Sequence, residues 1–235
     1  MNYNITLKEV YKNLIANNEI EKIYSMIEKR EKEDLRYAYH NMNHINNVTS
    51  LASYILKSLN YDTNTLYKAK IACLLHDVGA LDGKDNHAYR SYIYAKNLFE
   101  NNNWNFEGKD DILDAIKNHS NSFDSTNFLT LVVMLADKLD IKQNRITDYG
   151  MKVIGNRQYG HIIDIIIQID SMLAINFITD GNIILDEINE YYFTKKVFKA
   201  INAFCNKINL DYKVLMDDKI WQVDNEKNNI YRRTT

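Results

Sequence analysis

Proline is missing altogether from this chain of 235 residues, and cysteine nearly so, with two. Without proline there is no strong helix breaker, so element ends must be marked by glycine, asparagine and side-chain caps. Cys73 and Cys205 lie far apart in apolar helical contexts. They exclude a disulfide-built scaffold and are expected as reduced core thiols of a cytoplasmic protein. Neither sign of charge dominates: 29 Lys and Arg against 31 Asp and Glu leave a net charge of −2. That balance argues against bulk attraction to nucleic acid or to an anionic membrane. No apolar run is long enough to span a bilayer, and Met1-Asn2-Tyr3-Asn4-Ile5 lacks the basic-then-apolar layout of a secretion signal. Glycine is sparse too, at seven residues, while the hydrophobic share of 46% is that of a globular chain.

The dominant positive signal is helical. Thr6-Leu7-Lys8-Glu9 has capping-box form and opens a helix carrying Val10 and Leu14. Further helices are predicted over 19–33, from Tyr39 through Leu56, and over 65–77, 87–101, 109–119 and 128–141, joined by short polar loops. The loop over 79–86 is rich in Gly, Asp and Asn. The pattern changes after Gly160. Ile162–Ile169 and Met172–Thr179 predict strands of a small hairpin or meander, and Asp180-Gly181-Asn182 is a turn signal. A helix over 187–208 and one more element over 213–223 follow, with 225–235 expected to fray. The expected fold class is mainly α: a helical bundle over 1–158 with a strand-and-helix appendage over 159–235.

Of the six histidines, five fall in the helical part: His40, His44, His76, His87 and His119. A lone histidine is ordinarily a hydrogen-bonded structural residue, and His161, before the Ile-rich strand, is read so. Five spread over several helices of one bundle can instead converge. The stretch Lys70-Ile71-Ala72-Cys73-Leu74-Leu75-His76-Asp77-Val78-Gly79 is an apolar helix ending in a polar pair, with Gly79 read as its stop. Such a pair is costly to bury unless something binds it, and a metal ion is the simplest candidate. His40 and His44, four apart, are predicted to share one helix face. His76 and Asp77 diverge by about 100° on a helix, so they can meet one ion only where the helix ends. Asp137, flanked by Leu135, Ala136 and Leu139, also needs a partner. Imidazole and carboxylate together suit first-row transition metals.

Taken in order, these segments resemble those of the HD-domain metal-dependent phosphohydrolases. Tyr39-His40-Asn41-Met42-Asn43-His44 with Val48 resembles their YHNxxHxxxV segment, and Leu74-Leu75-His76-Asp77-Val78-Gly79 their LLHDIG segment. His87-Ala88-Tyr89-Arg90-Ser91 resembles HxxxS, Ala115-Ile116-Lys117-Asn118-His119 resembles AIxxH, and Leu135-Ala136-Asp137-Lys138-Leu139-Asp140 resembles LADKLD. The match is collinear over 39–145. It implies a first ion held by His44, His76, Asp77 and Asp137, with Asp77 bridging to a second held also by His87 and His119. The ions would be one or two divalent cations, Fe, Mn, Ni, Co or Zn, with Mg admissible.

The implied reaction is hydrolysis of a small phosphorylated metabolite, foremost a nucleotide. His40 is the candidate general acid, against a purely structural role. Lys138, Arg145, Arg90 and Lys84 are candidates for phosphate charge, against ordinary ion pairing. Where many relatives read HDxGK, this chain has Ala80. It lacks the GYP segment of cyclic-di-GMP phosphodiesterases and the HDxxED run of guanosine tetraphosphate hydrolases. The layout is most similar to small bacterial HD proteins, including dinucleoside tetraphosphate hydrolases. Two other readings stay open: a non-hydrolytic HD-fold sensor of nucleotide or metal, and a diiron HD-fold oxygenase. No membrane or nucleic-acid partner is expected; homo-oligomer formation is left open.

Overall fold

The computed structural model describes residues 3–223, so the segment expected to fray lies outside the described residues. In order, the elements are α1 (Leu7–Ile15), α2 (Asn18–Glu33), α3 (Met42–Ser58), α4 (Thr63–Leu75), α5 (His87–Asn101), α6 (Lys109–Asn118), α7 (Phe128–Leu139), β1 (Ile162–Ile169), β2 (Met172–Thr179), α8 (Leu185–Glu190), α9 (Tyr192–Ile208), β3 (Asp211–Met216) and β4 (Lys219–Ile220). The protein is mainly α with a small sheet, as expected. Two compact units emerge. One holds the residues up to Arg30 with His40–Asp137; the other holds Glu31–Tyr39 with the chain from Lys138 onward.

The first unit is built around α4. Ala69 and every residue from Ile71 to Leu75 are buried, so the end of this helix that leads to His76 has no solvent face. It is flanked by α1, α3 and α6. Each fully buried aliphatic side chain of this kind contributes roughly 1.5–3 kcal/mol relative to exposure. Helix α1 starts as the sequence predicts, with the Thr6 side chain accepting from Glu9 N–H and the Glu9 carboxylate accepting from Thr6 N–H at 2.9 Å. Helix α3 does not. It begins at Met42, because the Asn41 side chain caps it, accepting from His44 N–H at 3.2 Å. His40 therefore precedes the helix, and the expectation that it shares a helix face with His44 is corrected. Helix α4 ends at Leu75, with His76 as its C-cap and Asp77 beyond it.

The second unit carries the sheet, in the order β1-β2-β3-β4. β1 and β2 form the expected antiparallel hairpin, with a bulge between Ile162 and Asp164. The Asp180-Gly181-Asn182 turn follows β2, where Gly181 takes φ +83. β3 pairs parallel to β2 and antiparallel to β4. The single helix predicted over 187–208 is two, because Tyr191 is extended at φ −68 and ψ 127. Its hydroxyl donates to Asn156 Oδ1 at 3.2 Å, and the Thr194 hydroxyl donates to Ile188 O at 2.6 Å. Helix α9 covers the sheet through Phe198, whose ring meets Trp221 edge-on at 5.1 Å; Trp221 in turn meets Phe177 at 5.2 Å. Trp221 is thus a core residue, donating from Nε1 to Asn189 Oδ1.

Before this helix pair, Arg157 grips Glu187 in a two-pronged pair at 2.8 and 2.7 Å, and Gly155 N–H donates to the same carboxylate at 2.7 Å. The Arg157 hydrogen bonds hold the Glu187 carboxyl at about 2. A depressed carboxyl stabilises the fold above its unfolded value of 4.5, and that contribution fades as pH falls from there towards 2. Arg157 is 43% exposed, so solvent screening keeps the pair's contribution small. Urea unfolding of Glu187→Gln should show a deficit at pH 7 that narrows below pH 4.5 and closes only as pH nears 2; a deficit independent of pH contradicts this.

Cys73 and Cys205 are buried free thiols. Among the described residues no helix is long and apolar enough to cross a membrane.

Candidate metal centre

Six side chains from the ends of five helices meet inside the first unit. His44 comes from the first turn of α3, His76 and Asp77 from the end of α4, His87 from the start of α5, His119 from the C-cap of α6 and Asp137 from the last turn of α7. They form two donor sets sharing one residue: His44, His76, Asp77 and Asp137; and Asp77, His87 and His119. All are buried except His87, whose side chain is 16% exposed. The sequence pattern anticipated these six, and the fold brings all of them together.

Helix ends explain the aim of three of the histidines. His76 Nδ1 lies 2.7 Å from Cys73 O, His119 Nδ1 2.8 Å from Ile116 O and His87 Nδ1 2.7 Å from Lys84 O. In each case the partner is the carbonyl three residues back. For His76 and His119 it is one of the carbonyls that a helix end leaves without an intrahelical partner. A carbonyl can only accept, so Nδ1 carries the proton, and in the neutral ring Nε2 presents a lone pair. Hydrogen bonds of this kind are what orient metal-ligating imidazoles.

The Nε2 atoms then converge on Asp77. Its Oδ2 is 3.5 Å from His44 Nε2 and 3.2 Å from His76 Nε2; its Oδ1 is 3.3 Å from His87 Nε2 and 3.5 Å from His119 Nε2. Asp137 Oδ1 stands 3.3 Å from His44 Nε2 and 4.0 Å from His76 Nε2. Asp77 therefore offers one oxygen to each set. Such spacings suit donors around one cation with bonds of about 2.0–2.2 Å, whose coordination edges are about 3–3.5 Å.

The same contacts are poor without a cation. His76 Nε2 and both Asp77 carboxylate oxygens are fully buried with no hydrogen bond of acceptable geometry among the described residues. His87 Nε2 and His119 Nε2 are 3.2 Å apart, and with both Nδ1 atoms donating, two lone pairs face each other. Burial pushes the His119 imidazole down to about 4, despite the opposing pull of Asp77. Burial also opposes ionisation of Asp77, but in the absence of an ion positive charge and donated protons from the imidazoles of His76, His40, His119 and His44 outweigh it and hold its carboxyl well below the usual carboxylate range; a bound cation takes the place of those protons. Neutral imidazoles around an ionised carboxylate are the forms that bind metal. The residues fit a divalent ion in each set.

The other predicted residues divide. His40 is buried, its ring 5.6 Å from that of His44 and edge-on to it. Lys84 contributes its carbonyl to His87. Arg90 donates to the carbonyls of Gly79, Asp85 and Gly83. Lys138 and Arg145 belong to the second unit. There the Lys138 ammonium lies 5.8 Å from the Phe193 ring centre, and Arg145 donates to Asp140 O at 2.7 Å and Tyr39 O at 3.4 Å.

Two supports were not foreseen. Tyr24, fully buried on α2, donates to Leu74 O at 2.7 Å and so braces the last turn of α4. Gly79, read as a helix stop, has another task. A Cβ there would lie 2.4 Å from His87 O and 2.5 Å from Ser91 N, so its bare backbone lets α5 close on the turn after Asp77. Nothing in the local sequence marks Tyr24. For Gly79, the Ser91 that follows His87 at fixed spacing was the available hint: its hydroxyl accepts from Gly79 N–H at 2.9 Å.

This architecture and donor set have a counterpart among known families. Residues 41–142 match the family model of the HD domain. The match marks this stretch, a little under half of the chain, as an HD domain. Among solved structures it is similar to a predicted HD superfamily hydrolase from an uncultured Thermotogales bacterium, at 23% identity over 57% of this chain and 80% of that one, with a TM-score of 0.41. No curated protein gives a significant match.

Proposed function

We propose that the protein is a metal-dependent phosphohydrolase acting on a small phosphorylated metabolite, foremost a nucleotide. The observation that carries this reading is Asp77, with one buried oxygen turned to each of two adjacent donor sets. His44, His76 and Asp137 would complete the first set, and His87 and His119 the second. When bound, a pair of divalent cations supplies Lewis-acid neutralisation of phosphoryl charge and lowers the pKa of a water from about 15.7 towards about 7.

The chain's own part is positional and protonic. The backbone carbonyls of Cys73, Lys84 and Ile116 lock three imidazoles in one tautomer, so no reorganisation is needed as charge builds up. In the hydrolysis, a water oxygen bonds to phosphorus and the bond to the leaving oxygen breaks. His40, beside His44, would hold the proton that the leaving oxygen takes up. Within the unit that holds these ligands, Lys84 remains a candidate for phosphate charge.

The test is a screen of phosphoesters and nucleotides on protein stripped by chelator and then reloaded with Mn²⁺, Co²⁺ or Ni²⁺. Turnover is expected only after reloading. The melting temperature should fall on stripping and recover, since saturation at a thousandfold over Kd is worth about 4 kcal/mol. Nucleotide binding without turnover would favour a sensor, and oxygen uptake with a polyol would favour an oxygenase. Turnover that survives exhaustive chelation would sink the proposal.

A further inference from the structure

The loop between Asp77 and α5 sets the geometry of the second donor set, and it is pinned by side chains from outside it. Its own backbone bonds include Ala80 N–H to Asp77 O, Gly83 N–H to Ala80 O and His87 N–H to Lys84 O, at 2.9, 3.0 and 3.2 Å. Arg90, one turn into α5, gathers the rest. Nε donates to Gly79 O at 2.9 Å, Nη1 to Asp85 O at 2.5 Å, and Nη2 to Gly83 O. Three carbonyls can face one guanidinium because the chain bends at Gly83, φ +103, and at Asn86, φ +57. On the far side Arg30 donates to Leu81 O at 2.6 Å.

We infer that Arg90 is a positioning residue for the second metal ion. By drawing in the carbonyls of Gly79, Gly83 and Asp85, it fixes the Lys84 carbonyl between them. That carbonyl accepts from His87 Nδ1 and aims His87 Nε2 at the point shared with His119 and Asp77 Oδ1. The inference rests on the two-ion reading above and goes further in separating the two ions. Apart from the shared Asp77, the ligands of the first set, His44, His76 and Asp137, lie on neither the loop nor α5, so Arg90 bears chiefly on the second set. A role in phosphate binding fits poorly, because Nε and both terminal nitrogens are already engaged by backbone. Lysine is no substitute, since an ammonium lacks the planar fork that meets three separated carbonyls.

The test is Co²⁺ titration by calorimetry and visible absorption on wild type, Arg90→Ala and Arg90→Lys. Wild type should take up two ions. Arg90→Ala should keep the first with unchanged affinity and bind the second about 10–100-fold more weakly, the usual effect of removing a partner behind a ligand. Arg90→Lys should fall between. An unchanged second site with only KM raised would assign Arg90 to substrate and overturn the inference. So would equal weakening of both sites, the mark of a general structural role. A wild type that binds fewer than two ions defeats the two-ion reading itself, before any variant is made. Should the variants prove insoluble, hydrogen exchange on wild type decides. Amides of residues 83–87 should slow with the second equivalent of Co²⁺ beyond the first, and identical exchange at both equivalents overturns the inference.

Discussion

Asp77→Asn should lower turnover by about three orders of magnitude or more while leaving the protein folded. The side chain sits 2% exposed between two donor sets and gives an oxygen to each. An amide of the same shape has one oxygen and one NH2. Whichever way it turns, one set loses an anionic ligand and receives a donor in its place. The fold is not at stake, because no volume is lost. Two-ion chemistry is, since each tenfold in rate is only about 1.4 kcal/mol and the charge stabilisation given by bound ions amounts to several. Metal analysis should show the stoichiometry falling from two to at most one. The variant should also reverse the usual order of stability. With chelator present, the new NH2 can donate to an Nε2 lone pair that now faces an oxygen. The variant should then melt no lower than wild type; with metal present it should melt lower. A site whose polar groups are arranged for an absent ion is destabilised without it, and relieving that arrangement lowers function rather than stability. Wild-type turnover in the variant would remove Asp77 from the bridge and with it the two-ion reading.

The legibility of this site in the sequence follows from where its residues stand. His76 and Asp137 each close or nearly close an apolar helix, and a polar residue there is conspicuous against Leu, Ile and Ala. Their order along the chain then carried the resemblance. The errors came where tertiary structure decides. The spacing of His40 from His44 suggests one shared helix face, but Asn41, whose side chain accepts from His44 N–H, starts the helix after His40. Arg90 near a histidine cluster suggests phosphate binding by charge alone. That its fork faces three carbonyls depends on the bends at Gly83 and Asn86, which no local pattern gives. The break between α8 and α9 has no glycine or proline to announce it; it comes from Tyr191 reaching Asn156 and Thr194 reaching Ile188. The strands themselves were read correctly from isoleucine content, but the parallel pairing of β3 with β2 is a property of the path through two helices, not of either strand.

Gly79→Ala is the second change with a large expected effect, and it tests whether the second donor set depends on one close approach. The added methyl would meet His87 O at 2.4 Å, Ser91 N at 2.5 Å and Arg90 Cβ at 2.7 Å. Two of these are backbone atoms of the first turns of α5, so a rotamer change cannot relieve the clash; α5 or the turn after Asp77 must move. Overpacking of this kind costs about 1–3 kcal/mol. Either movement also strains the bonds from Arg90 and Ser91 to Gly79 and carries His87 away from Asp77 and His119. A displacement of about 1 Å at a reacting centre can cost about a hundredfold, so kcat should fall by at least that much. The second ion should be lost while the first is retained, because His44, His76 and Asp137 do not ride on α5. Gly181→Ala supplies the control. It sits at φ +83 with open space around its missing methyl, so it should cost about 1–2 kcal/mol of backbone strain and leave metal uptake and turnover alone. If Gly79→Ala behaved like that control, losing stability with both ions still bound, the close packing of α5 on the turn would not be what holds His87 in place.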